Sequence, residues 1–281
     1  MTRIRTALAH GRGQLDPFDA RLLLQQLLGV NYAYLLAHDD QPLTDEQNET
    51  YRAWVARAAQ GEPVPYITGT APFYGRDFAV NPAVLIPRPE TEQLVELACK
   101  WLGEQAPRPP EKPWRIIDVG AGSGCIPITV ALESRQAVQI TAVDVSPAAL
   151  TVAQENARRL GANVHFVQSD LLTAVSGSFD LITANLPYIA DAEWPTLDDG
   201  VKSYEPALAL RGGVDGLDLI GQLLHQAVSR LHTPSLLLLE IGWQQGSNTA
   251  VLAQRIFPNA AVAIHQDYAG HDRFVAITHP A

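Results

Sequence analysis

The chain has 281 residues, of which 47% are hydrophobic and 18% charged, so it can bury a sizeable core in one or two domains. No apolar run approaches the ~20 residues that span a bilayer, and the first residues lack the apolar stretch of a secretory signal, so no membrane partner is expected. The net charge is −10, and both the first 85 residues (seven Lys and Arg against nine Asp and Glu) and the remainder (thirteen against twenty-one) are acidic, which counts against a direct nucleic-acid partner.

The first 62 residues predict a small all-helical unit. Residues 16–29 have an acidic start, apolar residues at helical spacing and a glycine stop, and residues 32–37 predict a second short helix. Residues 44–61 begin with Thr44 and Gln47 in the spacing of a capping box. Two roles fit this unit: a domain that recognises a partner, or an extension that covers or packs on the rest of the chain. We place the boundary of this N-terminal domain at residue 72.

The next segment is rich in proline and contains two β-like pieces. Phe73-Tyr74 and Phe78-Ala79-Val80 flank a turn predicted at Gly75-Arg76-Asp77, which indicates a β-hairpin linker over residues 73–89. The run Ile86-Pro87-Arg88-Pro89-Glu90-Thr91-Glu92 then leads into a helix. Its two glutamates suit the positive N-terminal end of that helix.

From residue 114 onwards, predicted strands and helices alternate. The strands cover residues 115–119, 138–143, 164–167, 181–184, 236–241, 262–265 and 274–278, and the helices cover residues 126–132, 147–160, 217–231 and 247–256. This alternation is typical of a doubly wound, mainly parallel sheet, here with seven strands. The predicted fold class is therefore α/β and Rossmann-like, with the third domain over residues 90–281.

A glycine-rich loop follows the first of these strands. It contains Asp118-Val119-Gly120-Ala121-Gly122-Ser123-Gly124, and alternate glycines allow a tight turn and a close approach of a ligand to the backbone. Asp144 ends the second strand, where a carboxylate can accept hydrogen bonds from both hydroxyls of a ribose. Together these features predict a cofactor of the adenosine type. The dinucleotide fingerprint requires Gly or Ala where this chain has Cys125.

The cysteines and histidines of the chain indicate its cellular location and whether it binds a metal. Cys99 and Cys125 are the two cysteines of the chain and form no C-x-x-C pair, which indicates a reducing, cytoplasmic location without a disulfide framework. No pair among the eight histidines has the spacing of a metal site, so no metal is expected.

The glycine loop resembles the first motif of the class I S-adenosylmethionine-dependent methyltransferases. The resemblance implies that the cofactor is S-adenosyl-L-methionine, held by the loop from Gly120 to Gly124 and by Asp144. Asp170, predicted at the end of the third strand, stands where these enzymes bind the adenine amino group, and Leu171 stands where it would lie against the base. Asp170 also suits a helix cap for the following segment, and the sequence leaves both roles open.

Four residues after the fourth strand form the run Asn185-Leu186-Pro187-Tyr188. This is the place where amino-methyltransferases that act on planar nitrogens carry an Asn/Asp-Pro-Pro-Tyr type motif. In open α/β sheets the carboxyl end of a strand is also where ligands bind. The run by itself suits an ordinary turn as well as a catalytic motif.

Other segments narrow the resemblance to the HemK-type peptide chain release factor glutamine methyltransferases. They are Phe73-Tyr74-Gly75, Leu85 to Glu92, Ser203 to Pro206, Leu210 to Gly216 and Glu240 to Gly246. The resemblance extends from about Phe73 to the C-terminus, and the Ile-Pro-Arg-Pro-Glu-Thr-Glu run is its most family-specific piece. One position departs from the family: Leu186 stands where the family has Pro. Asn-Leu-Pro-Tyr is similar to the motif of ribosomal RNA adenine dimethyltransferases, so N6-methylation of adenine in RNA or another nucleic acid is the alternative.

The family implies N5-methylation of the glutamine side chain in the Gly-Gly-Gln motif of a release factor. Asn185 through its side-chain oxygen and Leu186 through its backbone carbonyl would accept the two amide N–H bonds, with Pro187 completing the motif and Tyr188 packing against the planar amide. Asn185 would also contact the cofactor. Arg88 and Glu205 suit contacts to the release factor, contacts at the hinge between the domains, or a surface ion pair. The N-terminal unit would then recognise the release factor.

Overall fold

The computed structural model describes residues 1–280, which divide into two compact units. The first unit comprises residues 1–70 together with residues 198–204, and the second comprises the remainder. The helices are α1 (Ile4–Arg12), α2 (Pro17–Leu28), α3 (Tyr32–Ala37), α4 (Asp45–Ala59), α5 (Val64–Thr68), α6 (Thr91–Glu104), α7 (Cys125–Glu133), α8 (Pro147–Leu160), α9 (Asp199–Tyr204), α10 (Asp218–Ala227) and α11 (Gly246–Ile256). The strands are β1 (Thr70–Phe73), β2 (Arg76–Ala79), β3 (Trp114–Val119), β4 (Val138–Asp144), β5 (Val164–Gln168), β6 (Phe179–Asn185), β7 (Ile189–Ala190), β8 (Arg211–Gly213), β9 (Leu231–Glu240), β10 (Ala261–Gln266) and β11 (Asp272–His279).

The first unit is helical, and local signals set its helix ends. Asp16 caps α2 by accepting from the Phe18 amide, and α4 begins with the predicted reciprocal bonds between Thr44 and Gln47. Helices α1 and α5 were absent from the sequence prediction. Residues 63–68 lie at the start of the proline-rich segment, where no helix was predicted, but proline in a first helical turn is compatible with a helix, and α5 forms there. A core of buried side chains, with Leu23, Tyr51 and Val55 among them, holds these helices together.

Strands β1 and β2 form the hairpin, but its turn differs from the prediction. The loop consists of two residues, Tyr74 and Gly75, and both have positive φ values (50° and 71°). Two-residue hairpin loops favour this conformation because its twist matches that of the strands. Arg76 and Asp77, which were assigned to the turn, therefore belong to β2.

The second unit contains the predicted seven-stranded sheet, which is confirmed. Its strand order is β10-β11-β9-β6-β3-β4-β5, and β11 pairs antiparallel with both of its neighbours while the other strands run parallel to one another. One buried cluster includes side chains from α6, α7 and α8, and a second includes side chains from α10 and α11, so helices cover both faces.

Two further boundaries and one strand pair in the second unit differ from the prediction. Helix α10 ends at Ala227 and the following strand already begins at Leu231, whereas the prediction extended the helix to Leu231 and began the strand at Leu236. Strand β5 ends at Gln168, so Asp170 lies in the loop beyond the strand. The short parallel pair β7–β8 was not predicted. Within residues 1–280 no helix has the length and apolarity required to cross a membrane.

Candidate active site

The candidate site lies at the carboxyl edge of the parallel strands. The chain enters the sheet at β3, adds β4 and β5 on one side and then returns to the other side of β3 with β6, so the loops after β3 and β6 diverge at a topological switch point. A cavity of about 410 Å³ opens here, within the size range of small-molecule sites. Loops that follow β3, β4, β5 and β6 line it, together with residues 83–85, 87–88, 206 and 208–209.

The glycine loop after β3 is fixed by hydrogen bonds to the neighbouring strand β4. Gly120 and Gly122 have φ values of +81° and +53°, and the amides of Gly120 and Ala121 both donate to the carbonyl of Val143 over 2.9 Å. A Cβ atom at Gly120 would lie 3.1 Å from Cδ2 of Leu186, so a side chain there would be strained and crowded. The loop therefore lies directly against the motif that follows β6.

Four of the five predicted loop residues line the cavity: Gly120, Ala121, Gly122 and Ser123. Gly124 does not. It caps α7 with a φ of +81°, and a Cβ atom there would lie 2.8 Å from Cδ1 of Ile128 and 3.1 Å from the Cβ of Ala153. The absence of a side chain at this position is required because α7 and α8 pack closely together behind the loop.

Asp144 and Asp170 both line the cavity, but their surroundings differ. The two carboxylate oxygens of Asp144 accept from the amides of Gly122 and Ser146 over 2.9 Å and 2.8 Å, which fixes the side chain while leaving further lone pairs. No residue among 1–280 donates to the carboxylate of Asp170, so this side chain does not cap the following segment. Leu171, also in the lining, has a φ of +48°, a strained value for a residue with a side chain.

Asp118, which begins the glycine loop, is buried beneath it. Its Oδ1 accepts from the Thr183 hydroxyl over 2.6 Å, and its Oδ2 has no hydrogen-bond partner within the described part of the chain. Burial raises the pKa of Asp118 to about 7, although the Thr183 hydrogen bond acts in the opposite direction. The group therefore titrates near neutral pH.

Asn185, Leu186 and Pro187 line the cavity, and Tyr188 lies outside its lining. Asn185 is the last residue of β6, and its Nδ2 donates to the hydroxyl of Thr91 over 3.2 Å. No residue in the described range donates to its Oδ1. Leu186 is buried, with 4% of its surface exposed, and packs on Gly120.

The backbone of this motif is supported by residues that the sequence analysis gave no individual role. The side chain of Gln245 donates to the carbonyl of Tyr188 over 2.8 Å and accepts from the amide of Gly242 over 2.8 Å. A Cβ at Gly212 would lie 2.6 Å from the carbonyl oxygen of Pro187, and one at Gly216 would lie 2.1 Å from that of Tyr188. Both glycines are therefore required for close approach. The only signal for them was their place in the segments that resemble the family.

Arg88 and Glu205 form an ion pair, but not a surface one. The Glu205 side chain is 1% exposed, and its Oε1 accepts from Arg88 Nη2 over 2.6 Å while its Oε2 accepts from the amide of Ile86 over 3.2 Å. Glu205 thus fixes the segment that carries Pro87 and Arg88 along the cavity wall. Arg88 is partly exposed, and this exposure reduces the strength of the pair.

Thr91 and Glu240 are two further site residues that the sequence analysis did not identify as functional. Both are buried, and the Thr91 hydroxyl donates to Glu240 Oε2 over 2.7 Å. Burial raises the pKa of Glu240 to about 7, against the lowering effects of the Thr91 hydrogen bond and of Arg273. The residues lie 149 positions apart, so their contact carries no local sequence signal.

The donor and acceptor groups around the cavity fit an adenosyl cofactor. The Asp144 carboxylate is pre-oriented with free lone pairs, the Asp170 carboxylate is unengaged within the described residues, and Leu171, Leu186 and Ala149 supply apolar wall. The loop amides of Gly120 to Gly122 are used within the protein, so the loop does not present the set of free donors that a pyrophosphate requires. Among residues 1–280, no cluster of His, Cys, Asp and Glu is placed to hold a metal ion.

Comparison with protein families gives two matches. Residues 2–69 match the family described as the PrmC N-terminal domain, and residues 96–197 match the methyltransferase small domain. A release factor glutamine methyltransferase of Koribacter versatilis (strain Ellin345) is 46% identical over 80% of this chain and 78% of its own length. A release factor glutamine methyltransferase of Bacillus cereus is 36% identical over 92% of each chain.

Solved methyltransferase structures support the fold, as one example shows. A 16S rRNA N2 G1207 methyltransferase of T. thermophilus, solved with AdoMet and guanosine, covers 75% of this chain and 49% of its own, with a TM-score of 0.51. At 16% identity it shows a shared fold alone. The adenine-methylating alternative is not favoured, because the relatives with substantial identity carry a different activity in their names.

Proposed function

The chain belongs to the family of release factor glutamine methyltransferases, and on that premise we propose that it methylates the side-chain amide nitrogen of a release-factor glutamine. The target is the glutamine of the Gly-Gly-Gln motif that the family resemblance implies. The observation that carries the proposal is the state of Asn185: its amide nitrogen is bound to Thr91, and no residue among 1–280 donates to its oxygen. That oxygen is therefore available to accept a hydrogen bond from a substrate N–H.

The proposed methyl donor is S-adenosyl-L-methionine, which when bound supplies a methyl group already activated by the positive charge on sulfur. Asp144 would accept the ribose hydroxyls, and Asp170 would accept from the adenine amino group. Leu171 would lie against the base, and the loop from Gly120 to Ser123 would pass beneath the rest of the molecule. The geometry of the cavity and the free lone pairs of both carboxylates support this assignment.

The chemical difficulty is the weak nucleophilicity of an amide nitrogen, whose lone pair is delocalised into the carbonyl. Two acceptors, Asn185 Oδ1 and the Leu186 carbonyl, would hold the two N–H bonds and turn the nitrogen lone pair towards the methyl group. Such positioning contributes ~7–11 kcal/mol in favourable cases. The motif requires no strong base, because the donor methyl group is already activated. The bond from sulfur to methyl would break as the bond to the amide nitrogen forms, leaving a neutral thioether, and the nitrogen would then release one of its two protons.

The change from the family's proline to Leu186 is compatible with this arrangement. The acceptor at this position is the backbone carbonyl, which the substitution retains. Leu186 also precedes Pro187, which disfavours helical backbone angles at Leu186 much as a proline there would. The Leu186 side chain instead packs on the glycine loop, where it contacts the position of Gly120.

The first unit is the proposed recognition domain for the release factor, because it has a core of its own and no cluster of catalytic residues. A protein substrate would then be bound at two points, by this unit and by the cavity. A cytoplasmic location follows from the proposal, because translation termination takes place there. No direct nucleic-acid contact is needed for the reaction.

Transfer of a labelled methyl group tests the proposed function. The acceptors are an intact release factor, its variant with Ala in place of the Gly-Gly-Gln glutamine, and ribosomal RNA. We expect label on the intact release factor alone. Label on the RNA but not on the protein would overturn the proposal, and equal labelling of both release factors would exclude this glutamine as the target.

A further inference from the structure

Three buried or half-buried polar groups from three distant parts of the chain form a hydrogen-bonded series beside the cavity. Asn185 Nδ2 donates to Thr91 Oγ1 over 3.2 Å, and the same hydroxyl donates to Glu240 Oε2 over 2.7 Å. Asn185 ends β6 and Glu240 ends β9, and the two residues are paired in the parallel ladder. Thr91 begins α6 and lies 2% exposed.

The chemistry of the groups sets the direction of this series. An ionised carboxylate only accepts, so the single proton of the Thr91 hydroxyl must point to Glu240. The lone pairs of Thr91 are then available for the Asn185 amide, which can satisfy them only through its NH₂ group. The Asn185 oxygen is thereby directed away from Thr91, and no donor within residues 1–280 reaches it.

From this arrangement we infer that Thr91 and Glu240 are positioning residues, which orient the Asn185 amide so that its oxygen accepts the N–H of the substrate amide. The inference rests on the proposed function, since it assigns a role towards the same substrate. It also gives a physical reason for Thr91 within the Ile-Pro-Arg-Pro-Glu-Thr-Glu segment. The hydroxyl links that segment to the catalytic motif 94 residues further along the chain.

The direction of the series depends on the charge of Glu240. Other groups face it from each neighbouring element: Glu90 before α6, Arg273 on β11, Tyr188 after β6 and Cys125 at the start of α7. Burial raises the pKa of Glu240 to about 7, while Thr91, Arg273 and Asn185 lower it and Glu90 raises it. Below that pH the protonated carboxyl can donate to Thr91, which frees the hydroxyl proton to bond the Asn185 oxygen instead.

The first test removes the hydroxyl without changing the shape of the buried side chain. Thr91→Val should lower kcat towards a release factor by roughly 10–100-fold, the effect of one lost buried hydrogen bond, with the Kd of S-adenosylmethionine little changed. Thr91→Ser should recover most of the loss. The matched control is Thr249→Val in α11, because Thr249 is also fully buried and its hydroxyl has no hydrogen-bond partner in the described residues.

A combined variant separates this inference from the proposed function. If Thr91 acts through Asn185, adding Thr91→Val to Asn185→Ala should produce no further loss of kcat. A full additional loss, or a single Thr91→Val variant as active as Thr249→Val, would overturn the positioning role. Retained turnover by Asn185→Ala alone would instead contradict the proposed function.

The second test uses pH and does not depend on the folding of the threonine variants. The kcat of the wild-type enzyme should decline as pH falls through about 7, where Glu240 gains its proton. Glu240→Gln cannot ionise, so its profile should lose the part of the acid limb that Glu240 contributes, whereas Asp118→Asn, which removes the other buried carboxyl with a pKa of about 7, should keep that part. An unchanged acid limb in Glu240→Gln would overturn the role of Glu240.

Discussion

Arg88 and Glu205 lie 117 residues apart in the chain and form an ion pair, with Nη2 of the arginine 2.6 Å from Oε1 of the glutamate. The second carboxylate oxygen accepts from the amide of Ile86. The buried side chain of Glu205 therefore fixes this segment at Ile86 and at Arg88. The same segment forms part of the cavity wall, and Thr91, whose hydroxyl bonds Asn185, follows three residues after Arg88.

Removal of this carboxylate should destabilise the protein. Glu205→Ala leaves the Ile86 amide and a half-buried guanidinium without their acceptor, so the free energy of unfolding should fall by about 2 kcal/mol in urea denaturation. The control is Glu155→Ala, which breaks an ion pair with Arg158 on the exposed surface of α8 and should leave stability unchanged within error. Equal effects of the two substitutions would contradict the structural role of Glu205.

The proposed catalytic role of Asn185 predicts a loss of turnover without a loss of cofactor binding. Asn185→Ala removes the acceptor oxygen, and kcat should fall by roughly 100-fold or more, as when a group that stabilises a transition state is removed. Calorimetry should give a Kd for S-adenosylmethionine close to that of the wild type. Asn248→Ala, at an exposed position in α11, is the control that should retain full turnover.

The proposed role of the glycine loop predicts that alanine substitutions at two glycines with similar backbone angles will affect cofactor binding differently. Gly120→Ala and Gly161→Ala both place a side chain at positive φ (+81° and +74°), but a Cβ at Gly120 lies 3.1 Å from Leu186 while Gly161 has nothing within 4 Å. Both variants should lose about 1 kcal/mol of stability. Only Gly120→Ala should also weaken the binding of S-adenosylmethionine, and comparable Kd values for the two variants would refute the assignment of the loop.

The raised pKa of Asp118 predicts a pH-dependent contribution to stability. Burial holds the folded-state pKa at about 7, above the unfolded value of 3.8, so the folded protein binds the proton more tightly. Below pH 4 the carboxyl is neutral in both the folded and the unfolded state, and its contribution to the free energy of unfolding is greatest there. That contribution declines as pH rises from 4 to 7, because the unfolded state ionises first, and it is constant above pH 7. Asp118→Asn cannot ionise and should gain stability relative to the wild type over that window, by up to about 4 kcal/mol.

Urea denaturation at pH 4, 5.5, 7 and 8 measures this difference. The comparison of variant with wild type at each pH removes the effects of the other carboxyl groups, which are common to both proteins. Thr183 still finds an acceptor oxygen in the amide, so its hydrogen bond need not be lost. A stability difference that does not vary with pH would show that Asp118 ionises at its ordinary pKa.

The proposed two-point binding of the release factor predicts different responses of large and small substrates. A protein without residues 1–70 should show an apparent KM for the intact release factor that is raised by about tenfold or more, because one of two linked contacts is lost. The KM for a short peptide that contains Gly-Gly-Gln should change little, since such a peptide contacts the cavity alone. Equal changes for both substrates would contradict a recognition role for the first unit.

The local sequence determined much of the candidate site. The glycines after β3, the acidic residues at or beyond the ends of β4 and β5, and the run from Asn185 to Tyr188 are each recognisable within a few residues. The strand–helix alternation was sufficient to predict that these segments meet, because the carboxyl ends of parallel strands share one edge. Helix ends such as those of α2 and α4 were also predictable, since capping side chains act over two or three residues.

Local sequence patterns did not predict the end of α10, where a helical pattern of apolar residues continues into a strand, or the hydrogen bonds between residues that are far apart in the sequence. The apolar residues from 217 to 231 continue a helical pattern, but the chain leaves α10 after Ala227 because Leu231 pairs with Phe179 at the start of β9. Only the tertiary structure decided that Thr91 bonds both Asn185 and Glu240, or that Gln245 holds the Tyr188 carbonyl. These partners lie between 57 and 149 residues apart, and it is sheet register and helix packing, not local propensity, that place them within hydrogen-bonding distance.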